Sequence, residues 1–492
     1  MEMAFKSFLL AAAAVAAISP ARAALVVSAK PTKNVDCEAG VCVATKAGAI
    51  LNVNDLAGML AGSDVTLQSG SRAKDIVISA ALDWASTHRL TLDSFRSITI
   101  GRPVTVNGTG AATLTTNDGG ADGALSFGAK GKLTFRDTSS SLIINGAAYM
   151  LAADIATLAA DFEPETGVNV ALASDYDASA DGNYVFSPIH DMDGNFEGLG
   201  NTISHFKLAT PGENQTDMAL IAYMDGTVSD LRLSSVKVKG TTFDAIGGLA
   251  GSCFGTVSRV EVNGTVEGRA RFELGGICGF LSGTMTDSHF SGSVIGIRTQ
   301  NVGGLAGYAG GTISRSYSTA NVTGKESPIV GGLVGESGGT IDTSFATGAV
   351  LVDSGIAGGL VGDAELGSIT NSYATGSVIN NSAGEAGGLI GFVRSATTAN
   401  SYASGAVAGG SGAKVGGLIG DAQNPDLLTD TYWDITTSGQ SHGVGNDTGY
   451  SGVTGLTTEQ FQTGLPTGFD PSIWAEAPAF NNGLPYLTAN PQ

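Results

Sequence analysis

The phrase VGGLVG, residues 330–335, is one of seven closely similar phrases that return along this chain at almost constant spacing. Each phrase is an apolar residue, two glycines, a Leu or Ile, a small or apolar residue and a glycine. The intervals between successive first glycines are 27 to 29 residues, and these glycines are Gly247, Gly275, Gly303, Gly331, Gly358, Gly387 and Gly416. A fixed period of this length indicates a stacked architecture, because one unit cannot bury its apolar side chains without a neighbour.

Each period carries two further phrases. One reads Gly311-Thr312-Ile313 and the next begins at Tyr317 in the copy that starts at Gly303. Three short apolar runs divided by Gly, Asn, Ser and Thr predict three strands and three turns per period. Two glycines inside each apolar run disfavour a helix, at about 1 kcal/mol apiece. The sequence therefore predicts an all-β fold, a right-handed parallel β-helix with coils of about 28 residues and short capping helices.

Equivalent positions in such a stack lie above one another, about 4.8 Å apart. We expect one apolar column to form the core, and its members are Leu249, Ile277, Leu305, Leu333, Leu360, Leu389 and Leu418. The neighbouring positions, such as Val330 and Val334, are also apolar, although strict alternation would place them on the opposite face. Either the chain bends at the glycines or an outer apolar face is covered.

The N-terminus predicts export. Residues 1–23 contain Lys6, an apolar stretch and a small-x-small site ending at Ala23, which together are typical of a secretory signal peptide. No later segment is apolar for long enough to predict a transmembrane helix, and we expect a secreted or cell-surface protein, or a periplasmic one. The formal net charge of −20 would repel phosphate backbones, so nucleic acid is not an expected partner.

Four cysteines allow three disulfide pairings. Cys37 and Cys42 are close in sequence and could close a small loop. Cys253 and Cys278 lie in adjacent coils but three positions out of register, which on straight strands is about 10 Å and predicts no bond between them.

The remaining segments predict a division into five parts. Residues 51–135 contain several short strand-like runs, residues 149–161 have helical spacing, and residues 219–228 read as a degenerate coil. Residues 457–461 could form a helical turn, and the tail carries Trp474, Phe480 and Tyr486, which we expect to cover the open end of the stack. The predicted parts are a signal peptide (1–23), an N-terminal β-rich region (24–145), a helix and lead-in (146–210), the repeat β-helix (211–434) and a C-terminal cap (435–492).

Two resemblances follow from these phrases. Residues 51–144, beginning LNVNDLAGMLAGSDVTLQSG, resemble the β-helical segments of filamentous haemagglutinin-type bacterial adhesins. The seven repeats resemble the GLUG motif of bacterial surface adhesins and of some immunoglobulin A peptidase-like proteins. The resemblance implies a surface or secreted β-helix, and it transfers no catalytic residue.

The sequence shows no catalytic constellation, and we predict no catalytic, cofactor or metal site. Acidic residues such as Asp342 and Asp363 are scattered, and the five histidines lack metal-ligand spacing. Asp191, Asp193 and Asn195 match only the start of a calcium loop, so a plain turn is favoured.

The expected function is therefore a non-catalytic adhesin that binds a glycan or protein ligand on a cell or matrix surface. Variable turns at residues 269–271, 324–327 and 392–394 are its expected contact points. A carbohydrate-active lyase or hydrolase is the alternative. A water- or ice-ordering surface on the threonine column is a third reading, and that column comprises Thr256, Thr284, Thr312, Thr340 and Ser368.

Overall fold

The computed structural model describes residues 23–163, 167–209, 216–424, 427–445 and 450–491. Within them the chain forms a β-solenoid of about 14 turns with coils of about 28 residues. Equivalent strands of successive coils pair in parallel and in register, as Val302, Val330 and Ala357 do. The predicted all-β solenoid is confirmed. The predicted signal peptide lies, except for its last residue, outside the described residues.

The strands are short throughout. In the N-terminal part, β1 to β15 are Ala24–Ser28, Val35–Glu38, Val41–Ala44, Ala49–Asn52, Val65–Gln68, Asp75–Ile78, Leu82–Trp84, Arg89–Asp93, Ile98–Ile100, Pro103–Val106, Ala111–Thr115, Leu125–Phe127, Lys132–Phe135, Ser141–Ile144 and Ala147–Ala152. The lead-in strands β16 to β24 are Asn169–Leu172, Tyr176–Asp177, Ile189–Met192, Asn195–Glu197, Thr202–Ser204, Lys207–Ala209, Asp217–Met218, Ile221–Met224 and Thr227–Ser229.

The repeats continue the same stack. Strands β25 to β36 are Arg232–Ile246, Ala250–Cys253, Thr256–Ser258, Glu261–Gly275, Cys278–Leu281, Thr284–Thr286, His289–Ile297, Asn301–Gly303, Ala306–Ala309, Thr312–Ser314, Tyr317–Ser318 and Asn321–Lys325. Strands β37 to β46 are Ile329–Gly331, Val334–Ser337, Thr340–Asp342, Phe345–Ala346, Val350–Val352, Ile356–Gly358, Val361–Ala364, Ser368–Thr370, Tyr373–Ala374 and Val378–Asn380. Strands β47 to β56 are Glu385–Gly387, Ile390–Val393, Thr397–Ala403, Val407–Gly409, Lys414–Gly416, Ile419–Ala422, Leu428–Asp434, Val453–Leu456, Trp474–Ala475 and Tyr486–Leu487.

A middle coil has five strands, β32 to β36, so the predicted three strands per period were too few. The difference arises at the glycine pair, where the chain bends and β33 enters a separate nine-stranded sheet with its equivalents. A Cβ on Gly303 would lie 2.0 Å from the carbonyl oxygen of Ala306. Only glycine can therefore occupy this bend.

The bend explains the apolar neighbours of the leucine column. Val302, Leu305 and Ala306 are all fully buried because the chain changes direction between them. Each of the seven column residues is likewise fully buried, from Leu249 to Leu418. The Leu305 amide donates to the carbonyl of Leu333 in the next coil at 2.7 Å, so the column is held by hydrogen bonds as well as by packing.

A second turn of each coil is marked by a positive φ on a residue other than glycine, as at Asp287 (51°) and Arg315 (46°). A buried serine follows the turn in each of several coils, and the Ser316 hydroxyl shows its role. It donates to the carbonyl of Ser314 at 2.9 Å and accepts the amide of Ser288 at 3.2 Å. Because both bonds are made, a column of polar side chains is tolerated inside the solenoid. Its members are Ser288, Ser316, Ser344, Ser372 and Ser401.

Two apolar cores follow one another along the axis. One extends from Leu25 to Leu151 with a few later residues, and the other runs from Ala152 through the repeats to Val444. A buried amide joins the coils at the junction. Asn201 Nδ2 donates to the carbonyls of Leu133 (2.8 Å) and Leu172 (3.0 Å), and the Thr134 hydroxyl donates to its Oδ1.

Helices are few. They are α1 (Val53–Leu60), α2 (Gly70–Ala73), α3 (Ile155–Phe162), α4 (Ile435–Ser438) and α5 (Thr458–Phe461), with 3-10 turns at Ala178–Ala180 and Asn481–Gly483. In the described part of the chain, no helix has the length and apolarity needed to cross a membrane. The helical turn predicted near residue 460 is present as α5.

The helix predicted at residues 149–161 begins six residues later than expected, because Ala147–Ala152 is strand β15. Asp154 sets the start of α3 by accepting a hydrogen bond from the amide of Thr157 at 2.7 Å. The side chains of Ile155 and Leu158 are then buried against the repeat core.

Both pairs of cysteines form disulfides. Cys37 and Cys42 lie opposite each other on the antiparallel strands β2 and β3. Cys253 and Cys278 are also bonded, with a Cα–Cα distance of 6.2 Å, so the prediction of no bond was wrong. That prediction assumed straight strands. Strand β26 bends between Ala250 and Cys253, whose side chains are both buried, and the Cα atoms of Cys253 and Cys278 are therefore 6.2 Å apart.

The C-terminal tail lies along the side of the solenoid and not, as predicted, over its open end. Trp474 packs against an outward column of stacked rings that includes Tyr373 and Tyr402, and Asn490 donates to the carbonyl of Arg315. Phe480 and Tyr486 contact each other. At the end of the stack, strand β54 pairs with β53 and Val444 bridges to Ile419.

Replacement of Leu333 by Asp is expected to lower the free energy of unfolding by at least about 3 kcal/mol, because it places an unpaired carboxylate inside the solenoid. Chemical denaturation of the purified chain measures the change. Leu351→Asp, at a partly exposed position on the outer surface, serves as the matched control. Equal stability of the two variants would contradict the assignment of Leu333 to the core.

Peptide mapping without reduction is expected to recover a cross-linked peptide containing Cys253 and Cys278. All four cysteines should resist alkylation in denaturant until a reductant is added, since none is free among the described residues. Alkylation of Cys253 in the unreduced protein would contradict the bond.

Candidate ligand-binding surface

Two outward columns flank the glycine bend. In the seven repeats the first column stands two residues before the glycine pair and the second stands five residues after its first glycine, and Asp217 and Tyr223 continue the two columns in the coil before them. The first column is Asp217, Ala245, Glu273, Asn301, Ile329, Ile356, Glu385 and Lys414. The second column is Tyr223, Ser252, Phe280, Tyr308, Glu336, Asp363, Phe392 and Asp421.

The two columns meet because the last glycine of each repeat phrase has no side chain. A Cβ on Gly307 would lie 2.8 Å from Cβ of Glu273, and one on Gly251 would lie 2.6 Å from Cβ of Asp217. Each residue of the first column thus lies against the second-column residue of the following coil. The Ser252 hydroxyl accordingly donates to Oδ2 of Asp217 at 2.5 Å.

Aromatic side chains form a ridge along the second column, and Phe254, two residues after the column position Ser252, joins it. We call this surface the aromatic ridge and define it as Tyr223, Phe254, Phe280 and Tyr308. The rings of Phe280 and Tyr308 stack with centroids 5.3 Å apart and an angle of 8°. Phe254 packs on Phe280 at 5.8 Å and is 46% exposed. His190 contacts Tyr223 at 5.8 Å. Stacked rings left partly open to solvent are typical of binding surfaces.

Carboxylates border the ridge. Burial, followed by the charges of Asp217, Asp244 and Glu336, raises the pKa of Glu273 to about 8. Burial also raises the pKa of Asp217 to about 6, although the hydrogen bond from Ser252 opposes the change. The pKa of Tyr308 is raised by burial and by three nearby carboxylates, Glu336, Glu365 and Glu273. The middle of the surface is thus apolar and strongly acidic.

Cations also lie along this surface. Arg394 pairs with Asp363 at 2.8 Å and its guanidinium lies 5.0 Å from the ring centroid of Phe392. Lys414 pairs with Asp421. Arg271, two residues before Glu273, approaches Asp244 at 4.0 Å.

The turns predicted to carry contacts fall in different places. Arg269 and Arg271 are exposed but Ala270 between them is buried, and Ser327 is buried beside exposed Glu326. Only residues 392–394 contribute to the two columns. Glu273, Tyr308 and Glu336 were not expected from the sequence to form a site because they are far apart in the chain. Counting every position from the repeat glycines would have aligned them.

The threonine column is present as an outward ladder. Thr256, Thr284 and Thr312 pair in register, and Thr340 and Ser368 continue the column. Their side chains are half-buried.

Among the described residues, no three His, Cys, Asp or Glu side chains are placed to hold a metal ion. The partial calcium-loop residues have other partners. Asp193 accepts the amide of Gly167 at 2.9 Å and Asn195 donates to Asn169 at 2.6 Å.

A separate outward column of stacked side chains lies elsewhere on the solenoid. His289, Tyr317 and Phe345 stack at 4.6 and 4.7 Å, and the tail covers the column from Phe345 onward. Arg232, Glu261 and His289 line a cavity of about 350 Å³ at its open end. The guanidinium of Arg232 already donates hydrogen bonds to the backbone carbonyls of Gly128 and Gly131, so it has a structural role there. The aromatic ridge is therefore the better candidate for ligand binding.

Replacement of Glu273 by Gln is expected to raise the melting temperature by an amount that grows with pH. The pKa of Glu273 is about 8 in the folded chain against an ordinary value of 4.5, so its ionisation destabilises the fold progressively between these values. The effect should be absent below about pH 4.5 and complete above about pH 8. Calorimetry at pH 5 and pH 8.5 measures it, with exposed Asp353→Asn as control. A difference that is independent of pH would contradict the assignment.

Comparisons with known proteins agree with the repeat pattern. The family model described as the GLUG motif matches residues 299–323 and 353–379. No curated protein matches the chain. Among solved structures, the chain is similar to a protein described as a "putative immunoglobulin A1 protease" from Bacteroides ovatus. The two are 18% identical, the match covers 70% of this chain and 92% of that one, and the TM-score is 0.39. The chain is a β-solenoid that contains GLUG motifs.

Proposed function

We propose that this protein is exported and acts as an adhesin, binding carbohydrate on a cell or matrix surface through the aromatic ridge. The observation that carries the proposal is the stack of Phe254, Phe280 and Tyr308 on an outer face with carboxylates along its border. Ring surfaces pack against the apolar faces of sugars and carboxylates accept their hydroxyl groups. A few placed polar groups beside apolar surface are typical of ligand sites.

The fold favours this role because the ring and carboxylate columns are already in place before a ligand binds. The ring column and the carboxylate column stand on paired strands whose spacing is set by the backbone, so little side-chain or loop ordering accompanies binding. Repetition along the axis also presents several adjacent rings, which suits a chain of sugar units.

Two disulfides support export, because disulfides persist mainly in oxidising compartments. The net charge of −20 and the acidic border disfavour sulfated or uronic-acid glycans through repulsion. The expected ligands are therefore neutral or amine-bearing glycans. Binding without turnover is part of the proposal.

A glycan and matrix array probed with the purified mature chain is expected to show binding to neutral or amine-bearing glycans. The double variant Phe280→Ala, Tyr308→Ala should bind about 10-fold more weakly or worse, equivalent to about 1.4 kcal/mol, because it removes the central rings. Leu351→Ala, Ile379→Ala is the matched control, since it removes exposed apolar side chains from a different outward column.

Equal binding by the ring variant and the parent would contradict the role of the ridge. Spots that fade over hours with release of fragments would contradict the adhesin and favour a carbohydrate-active enzyme.

A further inference from the structure

Four side chains form a compact group where the two columns meet. Glu273 and Asn301 are neighbours in the first column, paired in register across adjacent coils, and Tyr308 and Glu336 are neighbours in the second. The close contact of Gly307 with Glu273 places that side chain beside Tyr308. In the same way a Cβ on Gly335 would lie 3.1 Å from the carbonyl carbon of Asn301, which places Asn301 beside Glu336.

Asn301 has an unsatisfied acceptor in this group. The residue is only 3% exposed, and its side chain is hydrogen-bonded to Glu336, where it lowers the pKa of that carboxyl against the effect of burial. Because a carboxylate only accepts, the Asn301 amide nitrogen is the donor. Its Oδ1 is buried and has no hydrogen-bond partner. A buried acceptor without a donor carries a free-energy cost that a donating ligand would remove.

The charges in the group are also unbalanced. The charged neighbours that act on Glu273 are Asp217, Asp244 and Glu336, all of them carboxylates. Glu336 in turn has Asp363 and Glu365 nearby, with Arg394 as its one cationic influence. A cation placed between Glu273 and Glu336 would relieve this repulsion.

We propose that Glu273, Asn301, Tyr308 and Glu336 bind the primary ammonium group of an amino sugar. The three N–H donors of an ammonium match the orphan Oδ1 of Asn301 and the carboxyl oxygens of Glu336 and Glu273, and Glu273, whose pKa is about 8 in the free chain, releases its proton when the cation binds. The ring of Tyr308 adds an aromatic surface that attracts a cation.

The ligand class follows from the neighbouring surface, and this step rests on the proposed carbohydrate-binding function. Phe280 stacks on Tyr308, and Phe254 packs on Phe280, so apolar surface continues from the ammonium site along the ridge. An amino sugar in a β-linked chain would place its amine in the group of four and the next sugar unit over Phe280.

Calorimetric titration with a glucosamine tetramer and with its N-acetylated counterpart tests the inference. At pH 6 the amine form is expected to bind at least 10-fold more tightly, because acetylation removes the charge and two donors. The double variant Glu273→Gln, Glu336→Gln should lose that preference while keeping its fold, and Asp353→Asn should retain it. Methylammonium, compared with sodium at equal ionic strength, should shift the side-chain amide resonance of Asn301 in the parent and in Asp353→Asn only.

The outcomes separate this inference from the proposed function. Equal affinity for the two tetramers, or a preference that survives in the Glu273→Gln, Glu336→Gln variant, would overturn the ammonium site and leave glycan binding standing. If the chain binds other glycans but neither tetramer, the ammonium site is likewise overturned and glycan binding still stands. A methylammonium shift without binding to any glycan would overturn the amino sugar and the proposed function together. Tighter binding of a lysine peptide than of the amine tetramer would overturn the amino sugar as ligand.

Discussion

The close approach of two backbone segments at the glycine pair is the constraint on which this structure depends. At Gly303 a side-chain carbon would lie 2.0 Å from a carbonyl oxygen of the same coil, so this coil can bend here only with glycine. The bend turns Val302, Leu305 and Ala306 all toward the core. It also creates the separate nine-stranded sheet and, on the outside, the line along which the two columns meet.

Because the coils stack in register, a residue type that recurs at one position of each coil forms a column along the axis. Serines at one position of successive coils form a buried column, in which each hydroxyl accepts a hydrogen bond from the backbone amide of the serine in the coil before it. Ser316 accepts such a bond from Ser288. Rings become ladders in the same way, both on the aromatic ridge and beneath the tail. A parallel solenoid therefore concentrates like residues, which stabilises apolar and hydrogen-bonded columns and raises the energy of charged ones.

The candidate site is a consequence of that concentration. Glu273 and Glu336 lie close together where the two columns meet, although they are 63 positions apart in the chain. Burial and the charge of Glu336 both raise the free energy of the ionised form of Glu273. In Asp363 and Asp421 the same crowding is balanced by Arg394 and Lys414. The unbalanced part lies next to the exposed rings, where a ligand could reach it.

The sequence alone determined the solenoid, its period and the buried column that includes Leu333, because a repeated apolar phrase can be buried only by stacking on its copies. It also indicated the helical turn near residue 460. The path within a coil was decided by tertiary structure: the bend between Ala250 and Cys253 brings Cys253 to Cys278, and a distance along a straight strand cannot show it. Tertiary structure also decided the position of the tail, where Trp474 packs on rings at the side of the stack. It likewise brought together Glu273, Asn301, Tyr308 and Glu336. Their contact depends on how two arms of the bend close over a glycine, which residue spacing by itself does not specify.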